Sequence, residues 1–171
     1  MGRMTSKPAP RIPLLNRELG ILAFNRRVLA QAADDSVPLL ERLRFLTIVS
    51  SNLDEFFEIR VAGLKEQIKL GLADPGPDGM TPKEIFARVT REARDLVTKQ
   101  YELLNDVLLP ALADADVHFL KRGTWNDAQR IWVHDYFARD VLPVLTPLGL
   151  DPAHPFPRVF NKSLNFIVEL Q

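Results

Sequence analysis

Cysteine is absent from this 171-residue sequence. Disulfides, thiolate chemistry and cysteine-based zinc sites are excluded with it, and the absence fits a reducing compartment. Excess charge of either sign is missing too, since 22 basic and 22 acidic residues balance. A general nucleic-acid binder carries a basic surplus that this chain does not have. No run approaches about 20 consecutive apolar residues, which argues against a transmembrane helix. The eight glycines are scattered, and neither the P-loop pattern nor GxGxxG can be read from them. The opening MGRMTSKPAPR lacks the apolar core of a signal peptide. A flexible leader over residues 1–13 of a cytoplasmic protein is the expectation.

What remains is a globular composition, 46% hydrophobic and 26% charged. It suffices for one ordinary domain, or a small one plus part of another. Leu19, Leu22, Val28 and Leu29 recur at helical spacing and predict a helix from Asn16 to Ala33. Asp34, Asp35 and Ser36 form a turn, and Pro38 suits the start of a second helix reaching about Leu70. Its stripe is Leu39, Leu43, Leu46, Val49, Leu53, Phe56 and Phe57. The polar run Ser50-Ser51-Asn52 interrupts it and predicts a kink or restart there. Asp74-Pro75-Gly76-Pro77-Asp78-Gly79 is a loop by composition. Thr81-Pro82-Lys83-Glu84 then spells a capping box. The helix it opens carries Ile85, Val89, Leu96, Leu103, Val107 and Ala111 to about Leu112.

The pattern changes after Ala115. Val117, Phe119 and Leu120 predict a short strand, and Thr124 is expected to cap a helix through Leu142. Pro143, Pro147, Pro152, Pro155 and Pro157 exclude long regular structure. SLNFIVEL, residues 163–170, alternates like a strand. The expected fold is mainly α: an antiparallel helical bundle over residues 14–114, then the incomplete beginning of an α+β head domain over 115–171.

Few residues offer chemistry. His118, His134 and His154 match no local metal-ligand spacing, so each is expected to be an ordinary surface or capping residue. Arg42, Arg44, Lys65 and Lys69 could meet phosphates, but read more simply as a solvated helix face. Asp54, Glu55 and Glu58 would need further oxygen donors to hold a metal. Asp54 and Glu55 are expected in the first turn of a restarted helix, where acids suit the dipole, with Ser51 to Asp54 as a relaxed capping box. Asn52 is the unusual residue. On a continuous helix it neighbours Ile48, Val49, Leu53 and Phe56, and an unsatisfied buried amide costs about 1–3 kcal/mol. Either a cap or backbone bond satisfies it, or a ligand does, because an amide is both donor and acceptor.

Four stretches are distinctive: NRELGILAFNRRVL, SVPLLERLRFLTIVSSNLDEFFEIRVAGLK, DVLPVLTPLGLDPAHPFP and NKSLNFIVEL. Together they resemble the amino-terminal part of bacterial polyphosphate kinase, the long multidomain type, over about residues 14–170. The resemblance implies an ATP- and Mg2+-using phosphoprotein that moves the terminal phosphate of ATP reversibly onto polyphosphate. It implies a helical domain, a head domain and two carboxy-terminal domains. The phosphorylated histidine and the magnesium-bearing tunnel would lie in the last two, outside this chain. No catalytic residue and no metal ligand therefore map here. The SNLDEF asparagine, which contacts the base side of ATP in the family, maps onto Asn52. Where family members often have Ser-Trp, this chain has Gly20-Ile21. The full-length protein is expected to be a homo-oligomer, either free in the cytoplasm or peripheral at the inner membrane. The 171 residues alone are expected to be inactive. A rival reading of another class is a helical docking or oligomerisation module that binds no ligand of its own.

Overall fold

The computed structural model describes residues 14–151, 153, 155–160 and 163–169. The leader expected at 1–13 and His154 lie outside the described residues. The chain divides into two compact units between Phe119 and Leu120.

Among the described residues, the regular structure of the first unit is all helical. Helix α1 spans Arg17–Ala33, and Asn16 caps it, its Oδ1 accepting from the Leu19 N–H at 3.0 Å. The same amide donates through Nδ2 to the carboxylate of Asp78, in the loop before α4 (Pro82–Glu102). That bond, and a second from the Met80 N–H, hold the Asp78 carboxyl below its ordinary range. A depressed carboxyl contributes stability above its unfolded pKa and loses it as pH falls through the folded pKa, so this latch opens only in acid. Asn16→Ala is expected to cost about 1 kcal/mol through the lost cap, read by chemical denaturation. An NMR titration should show the Asp78 carboxyl moving back up.

Gly20 lies within α1, and a Cβ there would meet nothing within 4 Å. Its drawback is therefore the backbone freedom of glycine alone, not a packing defect. A turn over residues 34–38 leads to α2, Leu39–Glu55. The chain then stays helical through a π-helical segment, Phe56–Val61, into α3, Ala62–Lys69.

The kink expected at Ser50–Asn52 is not there. The irregular segment comes one turn later, for a packing reason. Leu53, Phe56, Val61 and Leu64 are all buried. The step from Phe56 to Val61 is five residues, which a 3.6-residue helix would fill with Arg60. The wider π turn keeps the apolar stripe on one face. Gly71, at φ 74°, ends the helix, and the Leu72 N–H bonds back to the Gln67 carbonyl at 3.0 Å.

Helix α4 opens with the capping box read from the sequence. Thr81 Oγ1 accepts from the Glu84 N–H at 3.3 Å, and Glu84 Oε2 accepts from the Thr81 N–H at 2.8 Å. It runs through a second π-helical segment, Leu103–Leu108, into α5, Leu109–Asp114. Pro110 lacks an N–H, so the ladder must loosen just before it. The register shift also moves the buried face. Leu108 and Leu112 are inside, while Val107, expected in the stripe, is 41% exposed. Leu22, Leu29 and Ala32 of α1, Leu46, Val49 and Leu53 of α2, and Ile85, Val89, Ala93 and Leu96 of α4 form one core with Phe56, Val61, Leu64 and Leu108.

In the second unit Thr124 closes a short 3-10 turn, and Asn126 is the true helix cap. Its Oδ1 accepts from the Gln129 N–H while Gln129 returns a bond to the Asn126 N–H, both at 2.9 Å. Helix α6 is Asp127–Tyr136, followed by π-helical and 3-10 turns to Val144. Described residues 117–120 and 163–169 form no strand, contrary to expectation. A strand needs a neighbour to complete its ladder, and among the described residues none is present. The fold is mainly α.

Candidate functional site

Helix α1 and the α2–π junction enclose an open cleft of about 250 Å³. Ile21, Phe24 and Asn25 come from α1, and Asn52, Glu55, Phe56, Ile59 and Arg60 from the facing chain. Phe56 is buried and stands edge-to-face against Phe57 at 5.8 Å between centroids. Phe24 leaves half of its surface to solvent, and the Arg27 guanidinium lies 5.7 Å from its ring centre.

Two residues of the polar run that breaks the α2 stripe, Ser50 and Asn52, are met from two other helices. Gln100 of α4, buried, donates through Nε2 to the Leu46 carbonyl at 3.1 Å and to Ser50 Oγ. Asn52 Nδ2 donates to Asn25 Oδ1 at 2.9 Å, and Asn25 Nδ2 donates to the Ile21 carbonyl at 3.0 Å. Asn25 is only 1% exposed; Asn52 is half-buried and lines the cleft.

Asn52 therefore does not cap anything. It lies inside α2, its backbone carbonyl accepting from the Phe56 N–H. Ser51 to Asp54 form no capping box, and Asp54 and Glu55 end α2 rather than begin a helix. The dipole argument for those acids falls, because the chain stays helical past Glu55 and no helix N-terminus lies there. Arg42 is a second correction. It is buried, not solvated: Nε donates to the Ala32 carbonyl at 2.9 Å and Nη1 pairs with Asp35 at 2.9 Å. Arg44 and Lys69 do lie on the surface, 3.7 Å from Glu41 and 3.8 Å from Glu66. Lys65 is exposed.

His118 and His134 are exposed and outside the cleft, with His134 Nδ1 3.5 Å from Asp135. Among the described residues no group of three or more His, Asp and Glu is placed to hold a metal ion. Nor is any described helix long and apolar enough to cross a membrane. The residues that sequence reasoning missed are Asn25, Phe24 and Arg60. Asn25 had a local signal, a polar side chain three residues after Leu22 on the buried face of α1.

The fold defines the class: a mainly helical domain with an open cleft between α1 and the α2–π junction. Residues 14–120 match the family described as "Polyphosphate kinase N-terminal domain", and residues 128–171 match "Polyphosphate kinase middle domain". The chain belongs to the polyphosphate kinase family. It is 61% identical over 161 residues to "Polyphosphate kinase" of Burkholderia vietnamiensis, covering 94% of this chain and 23% of that protein. The enzyme of the same name from Paraburkholderia phytofirmans is 59% identical over the same length. The chain thus spans about a quarter of the length of the curated relatives it matches. The crystal structure of polyphosphate kinase from Porphyromonas gingivalis superimposes with a TM-score of 0.65 at 26% identity, over 77% of this chain and 18% of that one.

Proposed function

We propose that this chain supplies the base-side wall of the ATP pocket of an enzyme that transfers the terminal phosphate of ATP reversibly to polyphosphate. Residues 14–114 serve as its helical domain and 115–171 as the opening of its head domain. The observation that carries this reading is the half-buried Asn52 amide, which lines an aromatic-walled cleft rather than capping a helix. An amide beside apolar rings suits a flat heterocycle with hydrogen-bonding edges. Mg2+ and the transferred phosphate are handled elsewhere in such an enzyme. The test is a chimaera in which this chain replaces the matching segment of the Burkholderia vietnamiensis enzyme. There Asn52→Ala is expected to raise KM for ATP about tenfold, the worth of one well-made amide contact to a base. An unchanged KM in a folded variant removes Asn52 from the pocket.

One observation favours docking as a second reading. No described residue of the second unit is buried, and Trp132 and Tyr136 of α6 stack at 5.4 Å with their faces partly open. Exposed apolar surface of this kind invites a partner. Sedimentation over a range of concentrations should show self-association; a strictly monomeric chain counts against it.

A further inference from the structure

We propose that Asn25 sets the polarity of the Asn52 amide, so that the cleft meets the base with a fixed acceptor and favours adenine, which turns its 6-amino group toward it. This rests on the base-pocket reading above and adds a specificity rule to it.

The derivation begins at a backbone carbonyl. The Ile21 oxygen can only accept, so the end of Asn25 that lies 3.0 Å from it is the NH2. The other end of Asn25 is then Oδ1, which also only accepts. Asn52 must turn its own NH2 toward that oxygen, and does so at 2.9 Å. Flipping Asn52 sets two acceptors against each other. Flipping both amides sets Asn25 Oδ1 against the Ile21 carbonyl. Asn25 is 1% exposed, so water has little access to its amide to relieve a clash there.

Asn52 Oδ1 is therefore the group left over. Among the described residues no donor is bonded to it, and Asn52 lines the cleft. The cleft offers a fixed acceptor beside Phe24 and Phe56. Adenine presents its amino group as a donor next to an acceptor nitrogen, whereas guanine presents two acceptors on the same edge. On that edge the relay favours the first and opposes the second. Asn25 is a positioning residue in this account: it acts on the base through Asn52.

The experiment compares adenosine with purine riboside, which differs only in lacking the amino group. Each is titrated into the 171-residue chain, followed through the NMR resonances of residues 21–25 and the Asn25 and Asn52 side-chain amides. Adenosine is expected to bind about tenfold tighter. In Asn25→Leu, with its fold checked by its own spectrum, the Asn52 amide can turn and the ratio should fall to about one. A merely structural role for Asn25 would weaken both nucleosides alike and leave the ratio intact, which overturns the proposal. Equal affinities in the unaltered chain, with shifts at the cleft, overturn the polarity rule and leave the pocket standing. No shift with either nucleoside overturns both. Should Asn25→Leu fail to fold, the ratio in the unaltered chain decides.

Discussion

Leu96→Ala is expected to destabilise the first unit by about 2–5 kcal/mol, the range for removing a large aliphatic side chain from a closed core. Leu96 has no exposed surface and sits on α4 within the core shared by α1, α2 and α4. Ala93, one turn earlier, is already small, so the wall beside the new cavity has little side chain to swing inward. Leu96→Met keeps the volume and should lose less than about 1.5 kcal/mol. Urea unfolding of both variants measures the difference. Equal losses would mean that α4 packs loosely at this level. Leu96 does not line the cleft, so nucleoside binding by the folded fraction should persist.

The second large effect is expected at Arg42. The last turn of α1 holds no basic residue, and its final carbonyls lack partners within the helix. Arg42 of α2 reaches back to supply one, through Nε to the Ala32 carbonyl. It also brings a positive charge to the negative end of α1. Arg42→Met is expected to lose about 1.5–3 kcal/mol, the usual worth of a hydrogen bond from a charged group. Its salt-bridge partner Asp35 has a side chain 90% exposed, so Asp35→Asn should change stability by less than about 1 kcal/mol. Thermal unfolding of both variants separates the two contributions. A large loss in Asp35→Asn would place the energy in the ion pair instead. Among the described residues Arg42 Nη2 has no hydrogen-bond partner, which makes the bond at Nε the more important one to keep.

Local rules were legible in the sequence wherever they involve neighbours three or four residues apart. The Asn16–Ala33 helix, the run from Pro38 to about Leu70 and the Thr81–Glu84 capping box follow from periodicity and cap chemistry. Misreadings came where a register changes or a partner is distant. The two π-helical segments of the first unit shift the buried face by one residue, which no 3.6-residue template predicts. That is why Leu108 replaces Val107 inside the core. Thr124 and Asn126 are both good caps, and only the capping box with Gln129 distinguishes them. Arg42 looked solvated because the carbonyl it serves is ten residues back, on another helix.

The sequence by itself determined a mainly helical chain, its helix starts and its family, because caps, periods and long distinctive motifs are written in adjacent residues. It also singled out Asn52 as a polar side chain in apolar company. Only the tertiary structure decided what that amide does. Its partner Asn25 lies 27 residues away on α1, and the orientation of both amides traces to the Ile21 carbonyl. An amide is nearly symmetric in shape but not in hydrogen bonding. Its direction is set by whatever the fold places against it, and in this chain that turns the Asn52 NH2 toward Asn25.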